Sequence, residues 1–407
     1  MVEPPSRAER LRGASTRAIH GPVVPPAAGL TGSPLSSPLV QSSVFSFDTP
    51  EEMIEVFEGK RPGFVYTRYG NPTIQQVERK LAALEGGSSA RLFASGMAAI
   101  HAAIWSSLER GELLLTARDL YGGTSELFAR LLPRLGVSWE RADLTDSADL
   151  ARALRDKPAA LYFETPTNPL LRLIDGPGTV RLAREAGARV VVDNTFATPV
   201  LQNPLGWGAD LVIHSATKYL GGHSDLTLGA VIGGERVEQG IDEVRRCQGA
   251  VPDPFAAWLL NRGLMTLAVR VRVQSTTALA IAEFLRRRDG VEKVHYPGLD
   301  EHPEHEIAKR QMSAFGGMLA LDLTGGREGA LRFMRGLRTI RLGASLGGVE
   351  SMATHPATSS HRMIAQQERD ALGIRDSLVR ISVGLEDVED LLDDIGTALQ
   401  GVGGRQG

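Results

Sequence analysis

A lysine at the end of a predicted strand is the residue of this sequence best suited to covalent chemistry. Residues 211–213 (Leu-Val-Ile) form a continuous apolar run typical of a buried parallel strand, and small and polar residues follow it. Lys218 lies among these, close to Ser215, Thr217, Gly221 and Gly222. The pattern suits a nucleophile that forms a Schiff base beside a phosphate anchor, although an ordinary solvated lysine would share it.

A second buried strand ends in a carboxylate. Residues 190–192 are three valines, and Asp193 follows them, about where enzymes that use pyridoxal 5'-phosphate (PLP) need a partner for the pyridinium nitrogen. Together the two segments resemble the Cys/Met metabolism family of PLP-dependent enzymes, which includes cystathionine γ-synthases, cystathionine lyases and methionine γ-lyases. The resemblance extends from about Ser37 to Leu399.

Composition points to a small-molecule enzyme. The chain has 407 residues, of which 42% are hydrophobic, and its formal net charge is −3 with acidic and basic residues interspersed, so no nucleic-acid footprint is expected. Cys247 is the single cysteine and predicts neither a disulfide nor a metal site. No apolar run approaches the ~18 residues of a membrane span, and we expect a cytoplasmic enzyme.

The order of predicted elements indicates an α/β protein with two domains and an arm. Residues 1–36 are rich in Pro, Gly, Ala and Ser, and we expect no regular structure there. Strands and helices then alternate, which predicts a mostly parallel central sheet flanked by helices. From Pro254 a long helical stretch to Arg288 and shorter elements predict a smaller α+β domain. We predict an N-terminal arm over residues 1–70, a PLP-binding domain over 71–255 and a C-terminal domain over 256–407.

Several polar or small residues fall at the carboxyl ends of these strands, where ligands of parallel sheets bind. They are Gly96, Asn168, Asp193, Ser215 and Lys218. The resemblance implies the aspartate-aminotransferase-like fold (fold type I) and assigns roles to matching residues. Implied phosphate contacts are Gly96, Met97, Ser215 and Thr217, with Tyr66 and Arg68 from a neighbouring subunit. Implied ring contacts are Tyr121, which stacks and can transfer protons, Asn168 near the phenolic oxygen, and Asp193.

An arginine on an apolar strand is the predicted substrate anchor. Arg380 lies in a run typical of a buried strand, where a charge needs a partner. A substrate carboxylate and an internal salt bridge are both suitable partners. The resemblance implies that Arg380 holds the α-carboxylate of an amino acid, that Ser345 and Tyr121 also contact the substrate, and that Lys218 and Tyr121 are catalytic.

Within this family the reaction is open, and we predict a carbon–sulfur lyase that acts by γ-elimination on methionine, homocysteine or a cystathionine-like thioether. The alternative is γ-replacement on an O-acylhomoserine, and a remote third is a non-catalytic scaffold. Methionine γ-lyases carry a cysteine where this chain has Gly123, and cystathionine enzymes usually carry a glutamate where it has Ala344. The missing acid disfavours cystathionine. The family also implies a homotetramer of dimers with shared active sites, with no nucleic-acid or membrane partner.

Overall fold

The computed structural model describes residues 13–20, 34–234 and 237–403. Ala14–His20 form helix α1, so the expectation that residues 1–36 lack regular structure is wrong for this stretch. The helix contains no proline or glycine. Ala18 is 1% exposed and belongs to the same apolar core as Ile74 and Leu81, which explains why this short helix is retained.

The first half of the chain alternates helices and strands. In chain order its elements are α2 (Pro50–Phe57), α3 (Pro72–Glu85), β1 (Ser89–Phe93), α4 (Gly96–Trp105), β2 (Leu113–Ala117), α5 (Gly122–Leu135), β3 (Ser138–Ala142), α6 (Ser147–Ala153), β4 (Ala160–Glu164), α7 (Gly176–Glu185), β5 (Arg189–Asp193), α8 (Thr198–Leu201), β6 (Leu211–His214), β7 (Gly229–Gly233) and α9 (Asp242–Gln248). Helix α3 begins as its sequence predicts, because the Asn71 side chain accepts a hydrogen bond from the Thr73 N–H at 2.9 Å.

The strands of this half form one sheet in the order β1-β7-β6-β5-β4-β2-β3. Strands β2 to β6 pair in parallel, and β7 runs antiparallel to both β1 and β6. The expected mostly parallel central sheet is therefore confirmed. Its two faces bury different cores: Val231 of β7 belongs to one apolar cluster, and its neighbours Ala230 and Ile232 belong to another.

The second half contains a smaller sheet. Its elements are α10 (Pro254–Met265), α11 (Leu267–Leu285), β8 (Val291–His295), α12 (His305–Gln311), β9 (Met318–Leu323), α13 (Gly326–Gly336), β10 (Arg341–Leu342), β11 (Met352–Thr354), α14 (Gln366–Ala371), β12 (Leu378–Ser382) and α15 (Val388–Gly403). The sheet order is β10-β11-β12-β9-β8. The domain boundaries remain a prediction, since residue 255 falls in the first turn of α10.

The predicted long helical stretch from Pro254 to Arg288 consists of two helices, which break at Thr266, and the second ends at Leu285. The buried Arg270 side chain occupies the break. Its guanidinium donates to the carbonyls of Gly263 at 2.8 Å and Tyr219 at 2.9 Å, and to the Thr266 hydroxyl at 3.1 Å. The arginine thus adds a charged donor to the Gly263 carbonyl at the break, which also accepts from the Thr266 N–H at 3.3 Å. Within the described residues, no helix has the length and apolar character needed to cross a membrane.

Candidate active site

Lys218 lies four residues beyond β6, where the two sheets approach each other. Its Nζ donates a hydrogen bond of 3.0 Å to Oγ of Ser345, which lies between β10 and β11 of the smaller sheet. Burial lowers the pKa of Lys218 to about 8, and the positive charge of Arg380 acts in the same direction. The amine is therefore partly neutral near physiological pH, which a nucleophile or general base requires.

Arg380, on β12, is 3% exposed and joins the same cluster. It donates to Oδ1 of Asn168 at 2.7 Å and to the backbone carbonyl of Ser345 at 3.2 Å, and its Nε has no hydrogen-bond partner among the described residues. Both partners are neutral, so these contacts favour the carboxylate ligand over the internal salt bridge. Burial lowers the pKa of Arg380 to about 10, and an anionic ligand would reverse that effect.

Asp193 ends β5, and a threonine links it to the segment before Lys218. The Thr195 N–H donates to Oδ1 of Asp193 at 2.9 Å, and Oγ1 of Thr195 accepts from the Ser215 N–H at 2.8 Å. Burial raises the pKa of the Asp193 carboxyl, while the hydrogen bonds from Thr195 and the nearby His214 oppose this. A protonated pyridine nitrogen beside Asp193 would hold the carboxyl in its ionised form.

A glycine keeps space open at the start of α4. A Cβ added to Gly96 would lie 2.9 Å from both Cβ and Oγ of Ser215, so a larger residue would crowd the predicted phosphate site. The first N–H groups of α4 make this end suitable for an anion. Thr217 differs from the expectation, because its hydroxyl is engaged with the backbone of Leu228 at 3.0 and 3.2 Å. A phosphate contact by that hydroxyl remains a prediction.

Tyr121 lies at the start of α5 with 42% of its surface exposed. Its N–H donates to Oε1 of Glu164 at 3.0 Å, which fixes the backbone below the ring. A Cβ added to Gly123 would lie 2.6 Å from Cε1 of Tyr121 and 3.3 Å from Sδ of Met97. A cysteine at position 123 would therefore displace the tyrosine ring. The ring can occupy its present position because residue 123 is a glycine.

Two predicted phosphate ligands lie apart from this cluster. Tyr66 and Arg68 are both exposed. The Arg68 guanidinium carbon lies 4.7 Å from the centre of the Tyr69 ring and 5.7 Å from that of Tyr66, and its Nη1 is 3.5 Å from the Arg246 carbonyl. The contacts found among the described residues do not join either side chain to Lys218. Their role in the site of another subunit stays a prediction.

Three residues at the site were not singled out by the sequence analysis. Thr195 joins Asp193 to Ser215, and Tyr162 and Glu164 connect Asp193 to the backbone of Tyr121. Glu164 carries the same signal as Asp193, since each ends a buried parallel strand. A carboxylate at the end of a buried parallel strand is enough to place Glu164 at the carboxyl edge of the sheet, where ligands of parallel sheets bind.

The fold and the lysine site define an α/β protein with a candidate ligand site at the carboxyl edge of a parallel sheet. The chain belongs to the Cys/Met metabolism PLP-dependent enzyme family, whose model matches residues 16–400. It is therefore a PLP-dependent enzyme. The residues present fit this cofactor: a half-buried, partly neutral lysine, a carboxylate at a neighbouring strand end, and the space that Gly96 leaves at a helix N-terminus.

Similar proteins carry out several related reactions. The chain is 42% identical over 396 residues to the L-methionine gamma-lyase of Pseudomonas putida, covering 96% of this chain and 98% of that protein. It is 43% identical to a cystathionine beta-lyase of Lactococcus lactis, with 95% and 98% covered. Cystathionine gamma synthase from Xanthomonas oryzae pv. oryzae, solved with aminoacrylate and cysteine, matches with a TM-score of 0.91 at 40% identity, with 96% and 99% covered.

Proposed function

We propose that this protein is a PLP-dependent carbon–sulfur lyase that performs γ-elimination on a sulfur amino acid: methionine, homocysteine or a cystathionine-like thioether. The observation that carries this proposal is the pairing of a partly neutral lysine with an arginine that has no acidic partner among the described residues. Lys218 and Arg380 are joined through Ser345, one through its hydroxyl and the other through its carbonyl. A base and a carboxylate-binding group thus meet in one buried cluster, as deprotonation at Cα requires.

Bound PLP supplies an electron sink that stabilises negative charge at the substrate's Cα. The residues of the chain supply the rest. Arg380 holds the α-carboxylate, which orients the Cα–H bond, and Lys218 Nζ removes the α-proton and can return it to a carbon atom. Asp193 would hold a proton on the ring nitrogen of the cofactor, and the exposed Tyr121 would contact its ring.

The proposed reaction consumes one water molecule. A thioether amino acid and water give a thiol, ammonia and 2-oxobutanoate, so the Cγ–S bond breaks and no external oxidant or reductant is needed. Purified protein incubated with methionine or cystathionine, without added thiol, should release equal amounts of thiol and 2-oxobutanoate, and with homocysteine it should release equal amounts of hydrogen sulfide and 2-oxobutanoate. Absence of keto acid from all three substrates would contradict γ-elimination.

A second candidate is γ-replacement, favoured by the close structural match to a cystathionine gamma synthase. In that reaction cysteine or sulfide displaces the carboxylic acid from an O-acylhomoserine. A parallel incubation with O-succinylhomoserine plus cysteine would distinguish the two, since replacement gives a thioether and elimination gives keto acid. Thioether formation that far exceeds keto acid release would assign the protein to replacement.

A cytoplasmic location remains a prediction from the sequence.

We also propose a homotetramer of dimers with shared sites, supported by the exposed positions of Tyr66 and Arg68 in the segment before the central sheet. We expect inactive Arg68→Ala chains and inactive Lys218→Ala chains, mixed after dissociation, to regain part of the activity, since some interfaces then carry one intact site. Light scattering and native mass spectrometry would verify mixing. Well-mixed oligomers without recovered activity would contradict sharing.

The exposed Ala344 provides a test of substrate choice, because it directly precedes Ser345 in the lysine cluster. We expect Ala344→Glu to raise kcat/KM for cystathionine relative to methionine, since a carboxylate there would attract the distal ammonium. An exposed ion pair is worth about 0.2–1 kcal/mol, so the ratio should change by roughly 1.4- to fivefold and the change should shrink with added salt. Ala344→Gln is the uncharged control. A ratio equal in both variants would show that charge at position 344 does not select the substrate.

A further inference from the structure

Two acidic residues face each other at the carboxyl ends of adjacent strands. Glu164 of β4 and Asp193 of β5 are register partners in the parallel ladder, and Glu164 is 7% exposed. Parallel neighbours lie about 4.8 Å apart, and paired residues direct their side chains to the same face. Two ionised carboxylates in such a place would repel each other strongly, so the pair favours holding one proton.

A buried tyrosine connects these acids. The hydroxyl of Tyr162, a residue with 0% exposure, lies 3.5 Å from Oε1 of Glu164 and 3.4 Å from Oδ2 of Asp193. A phenol has one proton and can donate to only one of the two acids. If one acid is protonated and donates to the phenol oxygen, the phenol can donate to the other. With a single shared proton, the hydrogen bonds can therefore all run in one direction, from the protonated acid through Tyr162 to the ionised acid.

The surroundings of the two acids decide which one carries that proton. Asp193 accepts from the Thr195 N–H at 2.9 Å and faces His214, and both contacts favour its ionised form. Glu164 faces Asp193 and Asp119, which disfavour a second negative charge, and accepts one backbone N–H. Burial and the charge of Asp193 raise the pKa of Glu164 accordingly. The proton belongs on Glu164.

We propose that Glu164 is a positioning residue that holds the proton of the acid pair through Tyr162, so that Asp193 stays ionised for the cofactor's ring nitrogen. The same carboxyl group accepts the Tyr121 N–H and fixes the start of α5 below the stacking ring. Glu164 thus links Asp193 and Tyr121, the two residues expected to contact the cofactor ring. This inference rests on the proposed PLP site.

A comparison of PLP affinity in the Glu164→Gln and Glu164→Ala variants tests this role. Glutamine is uncharged like the protonated acid, and its amide oxygen can accept from the Tyr121 N–H in the position of Oε1. Alanine removes this contact. We therefore expect apoprotein carrying Glu164→Ala to bind PLP about tenfold more weakly than apoprotein carrying Glu164→Gln, the equivalent of about one hydrogen bond. Equal losses in the two variants would overturn the proposal.

Infrared spectroscopy locates the proton directly. At pH 7 the wild-type apoprotein and PLP-loaded protein should both show a protonated-carboxyl C=O band that is absent from Glu164→Gln, and Tyr162→Phe should shift it. An unchanged band in Glu164→Gln would overturn the proposal. Because the apoprotein spectrum does not depend on PLP, it tests the location of the proton even if the wild-type protein failed to bind PLP, a result that would instead contradict the proposed function.

Discussion

Lys218→Ala should leave the protein folded and lower kcat by at least about a thousandfold. The change removes both the covalent attachment point for PLP and the base, and a positioned acid or base alone contributes about 10²–10⁴ in rate. Among the described residues the Lys218 side chain makes one hydrogen bond, to Ser345, so its loss should cost little stability. Steady-state assays and circular dichroism on protein purified from a host that lacks related lyases would measure both effects.

Lys309→Ala is the matched control for this variant. Lys309 is an exposed lysine on α12 whose Nζ pairs with Glu306 at 2.9 Å, and we expect its loss to leave kcat unchanged. Substantial turnover by folded Lys218→Ala would contradict the assignment of the catalytic lysine.

Arg380→Ala should lower kcat/KM by roughly a hundred- to a thousandfold, because removing one partner of a buried charged contact costs about 2–5 kcal/mol. Arg380→Lys keeps the charge but loses the two-pronged geometry, so we expect an intermediate value. Since the arginine binds the carboxylate in both ground and transition states, much of the loss should appear as a higher KM.

The pKa of Lys218 provides a check on Arg380 that needs no substrate. The charge of Arg380 lowers the pKa of Lys218, so Arg380→Ala should move the midpoint for Lys218 modification in the apoprotein upward from about pH 8. An unchanged midpoint together with an unchanged KM would show that Arg380 does not act on this site.

The ends of the central strands could be predicted from sequence because local patterns determine them. An apolar run followed by a polar residue placed Asp193 and Lys218 at one edge of the sheet, and the structure has both there. The start of α3 could be predicted for the same reason, because its capping residue is adjacent in the sequence. The contact between Lys218 and Ser345, which are 127 residues apart, depends on how the two sheets meet, and the family resemblance implied Ser345 only as a substrate contact.

Other features depend on contacts that no local pattern reveals. The break at Thr266 is occupied by the buried Arg270, and its guanidinium reaches the Tyr219 carbonyl 51 residues away. Tyr162 lies in an ordinary buried strand pattern, and its link to Asp193 becomes visible only when β4 and β5 pair. The short helix α1 likewise depends on the core that receives Ala18.

The most direct test of a PLP-dependent site centred on Lys218 is borohydride reduction of the purified, PLP-loaded protein, followed by peptide mapping by mass spectrometry. We expect a single phosphopyridoxyl group, on the peptide that contains Lys218, with loss of the absorbance near the visible edge. The same treatment of Lys218→Ala should give no modified peptide. A modification on another lysine, or none in wild-type protein saturated with PLP, would contradict the central assignment.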